Sequence, residues 1–272
     1  MKIDLHTHSY YSDGLFSPKE LIDIAIKQQV DCFALTDHDS VFGCEEIQKY
    51  AKKKNIFVLN GMELSTEYKG KSVHIVCLFQ KNEVPKELIE FSYQKQEERK
   101  NRAIQMMQAI HDIYGLKIDI PKLIEESKVI TRANMAYQLA KLNQMTLKEV
   151  EPFVDKDSKA YIPSTKLSLE DGLQFVKACG CLTILAHPCL LPAQIVEEIV
   201  SLKIDGIEAY YPKNKPGDEE YFLSLAQQHR LFISAGSDFH GDAGTKHAML
   251  GTKTIDEKYF KPIVERLGIK WL

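Results

Sequence analysis

Apolar and polar positions along this chain fall into a repeating rhythm. Short apolar, β-prone runs occur at Lys2–His6, Cys32–Thr36, Phe57–Leu59, Val73–Phe79, Leu182–Ala186, Gly206–Tyr210 and Leu231–Ala235. Most lead into a polar turn and then an amphipathic stretch, the arrangement of β-α units around a parallel sheet or barrel. The pattern predicts seven such strands. Ser17-Pro18-Lys19-Glu20 supplies a cap, a first-turn proline and a capping-box glutamate before Leu21, Ile22, Ala25 and Ile26 at helical spacing. Ser168-Leu169-Glu170-Asp171 opens a similar helix with Leu173 and Val176. Between Phe79 and about Ala160 the strands vanish. Lys86–Tyr114 reads there as one long helix, followed by shorter ones at Pro121–Ser127, Arg132–Leu142 and Leu147–Phe153. The predicted organisation is an α/β barrel split by a helical insertion: barrel 1–79, insertion 80–160, barrel 161–272.

Bulk composition sharpens this picture only at the edges. The 272 residues, 44% hydrophobic and 27% charged, suit a globular body without a linker tract. A net charge of −3 gives no field for a long polyanion, so extended duplex nucleic acid is not an expected partner, whereas a short anionic substrate held locally is compatible with it. The opening MKIDLHTHS has no signal-peptide sections, and no segment reaches the roughly 18 uninterrupted apolar residues of a membrane span, so a cytoplasmic protein without membrane contact is expected. Cys32, Cys44, Cys77, Cys179, Cys181 and Cys189 lack paired CxxC spacing and read as small buried hydrophobes, with a metal role for the last three as the alternative.

The chemistry collects at strand ends. His6 and His8 flank Thr7 at the end of the first run, so alternation points both rings to one side, where they read equally as a polar strand end or as two metal ligands. Asp13 follows in a Ser12-Asp13-Gly14 turn. Asp37, His38 and Asp39 follow the second strand, Glu63 the third; His74 begins the fourth; His187 ends Leu185-Ala186-His187; Asp238 and His240 close the last. In a parallel barrel such positions share one face. Of the 9 histidines only His111, His229 and His247 lie elsewhere. Nitrogen and carboxylate donors without cysteine suit Mn, Fe, Zn or Mg rather than a structural zinc. Asp37 and Asp39 read as groups that orient a ligand ring or cap a turn.

Taken in order, HTHSYYSDG, TDHD, GMELS, LAHP and GSDFHG resemble the polymerase and histidinol phosphatase (PHP) family of phosphoesterases. The resemblance implies a distorted seven-stranded (β/α)7 TIM-like barrel and a trinuclear centre of divalent ions, manganese foremost, with zinc, iron or magnesium as alternatives. It implies that His6, His8, Glu63 and Asp238 hold one ion, that Glu63 bridges to a second held by His74 and His187, and that Asp13, His38 and His240 hold the third. Within the family the likeness is to stand-alone bacterial enzymes acting on 3′,5′-nucleoside bisphosphates and short RNA 5′ ends. It is carried by the insertion, Thr131–Ala136 within it, Ala160–Pro163 at its exit, and Gly206–Pro212. At Asn134 those relatives usually have histidine.

A hydroxide bridging two ions is the expected nucleophile, since bound divalent cations bring the pKa of water toward ~7. Glu63, Asp238, His240 and Arg132 form the expected catalytic set. Arg132 can grip a phosphate bidentately, and it is grouped with Asn134, Arg99 and Arg102 as substrate-binding, although Arg99 and Arg102 read equally as an exposed charged helix face. The rivals are a histidinol phosphatase, an amidohydrolase and a non-catalytic PHP binding module. An amidohydrolase of this barrel class typically has a bridging lysine where Glu63 stands, and a degraded module loses ligands that are all present here.

Overall fold

A computed structural model describes residues 1–126, 129–241 and 248–270. His247 and Ser127 of the predicted helix Pro121–Ser127 lie outside these. The elements in order are β1 (Ile3–Thr7), α1 (Pro18–Lys27), β2 (Cys32–Leu35), α2 (Gly43–Lys54), β3 (Phe57–Tyr68), β4 (Lys71–Leu78), α3 (Lys86–Tyr114), α4 (Ile120–Glu126), α5 (Arg132–Asn143), α6 (Leu147–Val154), β5 (Leu167–Ser168), α7 (Leu169–Ala178), β6 (Leu182–Leu185), α8 (Ala193–Ser201), β7 (Gly206–Tyr210), α9 (Asp218–His229), β8 (Phe232–Ala235) and α10 (Glu257–Arg266). Side chains start several helices where the sequence places them. Ser17 accepts the Glu20 amide at 3.2 Å while Glu20 accepts the Ser17 amide at 2.8 Å, and Thr146 with Glu149 repeats the box at α6.

The strands form one sheet in the order β1-β2-β3-β4-β6-β7-β8, with the short β5 paired to the outer end of β3. Its two ends meet through Asp238 N–H on the His6 carbonyl at 3.0 Å and His8 N–H on the Phe239 carbonyl at 2.9 Å, so the barrel is nearly closed. Two features differ from the expected all-parallel barrel. The third strand does not stop at Leu59 but runs to Tyr68, and β4 is antiparallel to both β3 and β6. The cause is local. Lys69 and Gly70, with φ of 48° and 73°, join β3 to β4, and a two-residue connection of this type makes only an antiparallel hairpin. As a consequence the beginning of β4, with His74, lies at the rim where the parallel strands end.

Contacts divide the chain into two compact units, Met1–Ser92 with Lys166–Leu272, and Tyr93–Thr165. The first sequence-based boundary, at 79/80, lies before this helical unit because Leu88 and Phe91, in the first turns of α3, pack into a barrel core with Met62, Ile75 and Leu173, whereas the second, at 160/161, lies inside it. A second barrel core gathers Ile3, Leu5, Leu59, Leu78 and Ile184 with Phe260 and Ile263 of α10, and a third packs α1 and α2 on Phe33 and Leu35. Cys44, Cys77 and Cys181 belong to the first core and Cys32 to the second. The helical unit has its own core of Met106, Met107, Ile110, Leu123, Met135, Leu139, Val150 and Val154. No helix of the described residues is long and apolar enough to cross a membrane.

Candidate active site

Backbone irregularities aim the rim side chains. Between Asp4 and Thr7, β1 has one residue more than β2, a bulge at the end of the strand, and alternation keeps Ile3 and Leu5 in the apolar core while His6 faces Glu63. His187, Asp238 and Asp39 adopt positive φ of 32°, 52° and 51°, conformations that non-glycine residues hold only when their surroundings fix them. The loop after β1 is pinned by buried Asp37, whose carboxylate accepts Ser9 N–H, Ser9 Oγ and Ser12 Oγ, each at 2.7 Å, so Asp13 follows in a fixed turn. Asp39 accepts Ser65 N–H at 2.8 Å, and Glu63 N–H bonds the carbonyls of Thr36 and Asp37, which brings the loop carrying His38 alongside β3.

While Asp37 and Asp39 bond the loops around it, the nine predicted ligands converge on one cluster centred on Glu63. Its Oε2 lies 3.3 Å from His6 Nε2, 3.4 Å from His8 Nε2 and 2.8 Å from His38 Nδ1; its Oε1 lies 3.0 Å from His74 Nδ1 and 2.9 Å from His187 Nε2. Asp238 Oδ1 is 3.2 Å from His8 Nε2, and Asp13 Oδ1 is 3.1 Å from His240 Nε2. Among the described residues, three groups have ligand atoms mutually within 4.8 Å: His8, Asp13, His38 and His240; His6, His8 and Asp238; and His38, Glu63 and His74. These groups are not the expected partition: His8 and His38 each fall in two of them, Glu63 goes with His38 and His74 rather than with His6 and His8, and His187 is in none.

The electrostatics are those of carboxylates among imidazoles out of water. Burial alone would raise Glu63 and Asp13, but the surrounding histidines, His38 foremost, hold both below the usual carboxylate range. Burial, with the charges of His240 and His38, lowers His8 to about 3; for His38 burial is overridden by Glu63 and Asp13, leaving it at about 10. Yet buried His6 Nε2, His8 Nε2, His38 Nδ1 and Glu63 Oε2 have no hydrogen-bond partner despite their proximity. Such orphaned atoms each cost about 1–3 kcal/mol in a dry interior, and a cation among them removes that cost. The donor set fits divalent ions.

The structure also shows residues that the sequence reading did not place at the site. Glu208 accepts His187 N–H at 2.6 Å and lies 3.1 Å from His6 Nδ1, and Tyr211 OH donates to Asp238 Oδ2 at 2.9 Å. An acidic residue inside the apolar run Gly206-Ile207-Glu208-Ala209-Tyr210 was the available signal. The remaining candidates belong to the helical unit. Arg132 pairs with Asp155 at 3.0 Å, both half-exposed. Arg102 donates to the Ile162 carbonyl at 2.5 Å and stacks over Tyr161 at 5.3 Å; burial, with the charges of Arg132 and Arg99, lowers its pKa. Asn134 turns its carboxamide oxygen back to Thr131 N–H at 2.9 Å and Thr131 Oγ1 at 2.6 Å, capping α5. His111 Nδ1 donates to the Leu116 carbonyl at 2.9 Å, and His229 ends α9; neither belongs to the three groups above.

Comparison with known proteins agrees with this architecture. The chain is 28% identical over 256 residues to a 5′-3′ exoribonuclease of Haemophilus influenzae, covering 89% of this chain and 91% of that one. It is 29% identical over 256 residues to a 3′,5′-nucleoside bisphosphate phosphatase of Chromobacterium violaceum, covering 89% of each. A solved structure of an amidohydrolase from Chromobacterium violaceum, with sulfate bound and no metal, matches at a TM-score of 0.79 and 26% identity, covering 98% of this chain and 97% of that one. The PHP domain matches residues 4–156, more than half the chain, and this protein accordingly belongs to the PHP domain family.

Proposed function

We propose that this metal-dependent phosphoric ester hydrolase cleaves phosphate esters of nucleotides, its substrates being 3′,5′-nucleoside bisphosphates and short 5′-phosphorylated oligoribonucleotides. The observation that carries the reading is the set of buried polar atoms, His6 Nε2, His8 Nε2, His38 Nδ1 and Glu63 Oε2, that have no hydrogen-bond partner among the described residues. Three divalent ions, manganese foremost, are the proposed complement: one on His6, His8, Glu63 and Asp238, one on Glu63, His74 and His187, one on Asp13, His38 and His240. When bound, such ions supply an activated water at neutral pH and neutralise charge on phosphoryl oxygens. Glu63, central to the cluster, fixes the spacing of its neighbours, while Asp238 and His240 orient the reacting phosphate's surroundings from the loop after β8.

Arg132, Arg102, Arg99 and Asn134 are the proposed contacts to the rest of the substrate. Arg132 is held by a half-exposed ion pair worth about 0–1 kcal/mol, so a phosphate can displace Asp155 from it. The names of the two curated relatives support the nucleotide reading, and the sulfate in the solved relative is a tetrahedral oxyanion like phosphate. Glu63 in place of a bridging lysine speaks for phosphoester rather than amide hydrolysis. A phosphate-release screen with added Mn2+ tests the proposal: nucleoside bisphosphates and 5′-phosphorylated RNA should outpace histidinol phosphate, and chelation should abolish release. Release from histidinol phosphate alone would transfer the assignment to that substrate, and full turnover after chelation would overturn the metal reading.

A further inference from the structure

The strand β7 places no atom in the converging groups, yet it and the residue after it hold three members of the cluster. We propose that Glu208 and Tyr211 are positioning residues that determine which lone pairs of His6, His187 and Asp238 face the metal ions. The inference rests on the metal reading above. Glu208 is 1% exposed, and its two oxygens serve two partners. Oε1, at 3.1 Å, is an acceptor beside His6 Nδ1, so Nδ1 carries the hydrogen and Nε2 is left as the bare nitrogen facing Glu63. Oε2 accepts His187 N–H at 2.6 Å, tying down the residue whose φ of 32° is unfavourable without support. Tyr211 donates to Asp238 Oδ2, leaving Oδ1 as the oxygen toward His6 and His8.

Two backbone observations show that this tier is built. Between Glu208 and Tyr210, β7 has one residue more than β8, since these pair with Ser234 and Ala235; the bulge breaks strict alternation, so that Glu208 and Tyr211 both reach the cluster. Gly236 stands where a Cβ would lie 2.2 Å from His6 Cβ and 2.3 Å from Glu208 Oε1, so the approach of Glu208 to His6 is possible only over a glycine.

Titration of the metal-free protein with Mn2+, with circular dichroism as the control for folding, tests the assignment. In Glu208→Gln the amide oxygen can still accept His187 N–H, but its NH2 then faces His6 Nδ1 and favours the tautomer with hydrogen on Nε2. Mn2+ affinity should fall about 10–100-fold, and in the isosteric Tyr211→Phe about tenfold. Wild-type affinity in both folded variants would overturn the proposal. A second readout stays independent of the metal: long-range 1H–15N spectra of the metal-free wild type should show a slowly exchanging His6 Nδ1–H that disappears in Glu208→Ala. Its absence from the wild type would overturn the role of Glu208 even if Mn2+ binds. Its presence in a wild type that binds no Mn2+ would sustain the Glu208 contact and refute the metal reading instead.

Discussion

The barrel and the helical unit differ in what their packing tolerates. The barrel encloses His6, His8, Glu63 and Asp238 among paired strands, where bulges, positive-φ residues and hydrogen bonds such as those of Asp37 fix each side chain. The helical unit is held by Met106, Met107 and Met135, flexible side chains that repack readily, and presents Arg132 on a half-exposed ion pair. Chemistry that demands sub-ångström placement of lone pairs falls in the region with least freedom. The groups proposed to contact the rest of the substrate sit on the region with more. The contrast predicts that changes in the barrel alter turnover of every ester alike, whereas changes in the helical unit alter which ester is preferred.

The severest test is Glu63→Gln, which removes the carboxylate shared by five histidines. Turnover should fall by about 10³-fold or more, about 4 kcal/mol in barrier, for bisphosphate and p-nitrophenyl phosphate alike. A loss confined to one substrate would break the contrast from the barrel side. Next is Met107→Ala, at a fully buried position of the helical core, which should lower stability by about 2–5 kcal/mol in denaturant unfolding while metal content per chain is unchanged. Loss of metal there would mean that the two units do not divide their labour as proposed.

Arg132→Ala is a smaller change and a more discriminating one. If Arg132 binds the phosphate that is not cleaved, kcat/KM for a 3′,5′-bisphosphate should drop by about 1.5–3 kcal/mol and that for p-nitrophenyl phosphate hardly at all. Equal losses would assign it to the chemistry or the fold. The smallest effect is expected from Asn134→His, which removes the acceptor from the Thr131 capping box and should cost about 0.5–1 kcal/mol in thermal unfolding while preserving or raising bisphosphate turnover. Collapse of turnover would show that the carboxamide contributes to the pocket directly.

Much of this was legible because strand rhythm and the placement of histidines are both local signals. The expected strand at Gly206–Tyr210 and the helix Lys86–Tyr114 coincide with β7 and α3. The direction of β4 was not legible, since apolar alternation reads the same in either sense and only the Lys69-Gly70 turn decides it. The extent of β3 was hidden because Asn60 and Gly61, a polar and turn-prone pair, interrupt its apolar run, so one long strand was read as strand and then loop. Glu208 was overlooked for the opposite reason: one acid within an apolar strand looks like an exception until its partners, distant in sequence, are known. The arginines are harder still, because helical spacing gives the face of a helix but not what faces it.

The seam between β1 and β8 joins the two ends of the chain, and it is there that Asp238 N–H meets the His6 carbonyl. Glu63 and His74, by contrast, belong to one hairpin and come together with a short loop. Closing a long loop is slower and entropically more demanding than closing a short one, so the hairpin's share of the site can form early and the β1–β8 share only when the ring shuts. A nascent or C-terminally truncated chain therefore has His6 and His8 but lacks Asp238 and His240, and full uptake of ions becomes a record that synthesis and folding have both been completed.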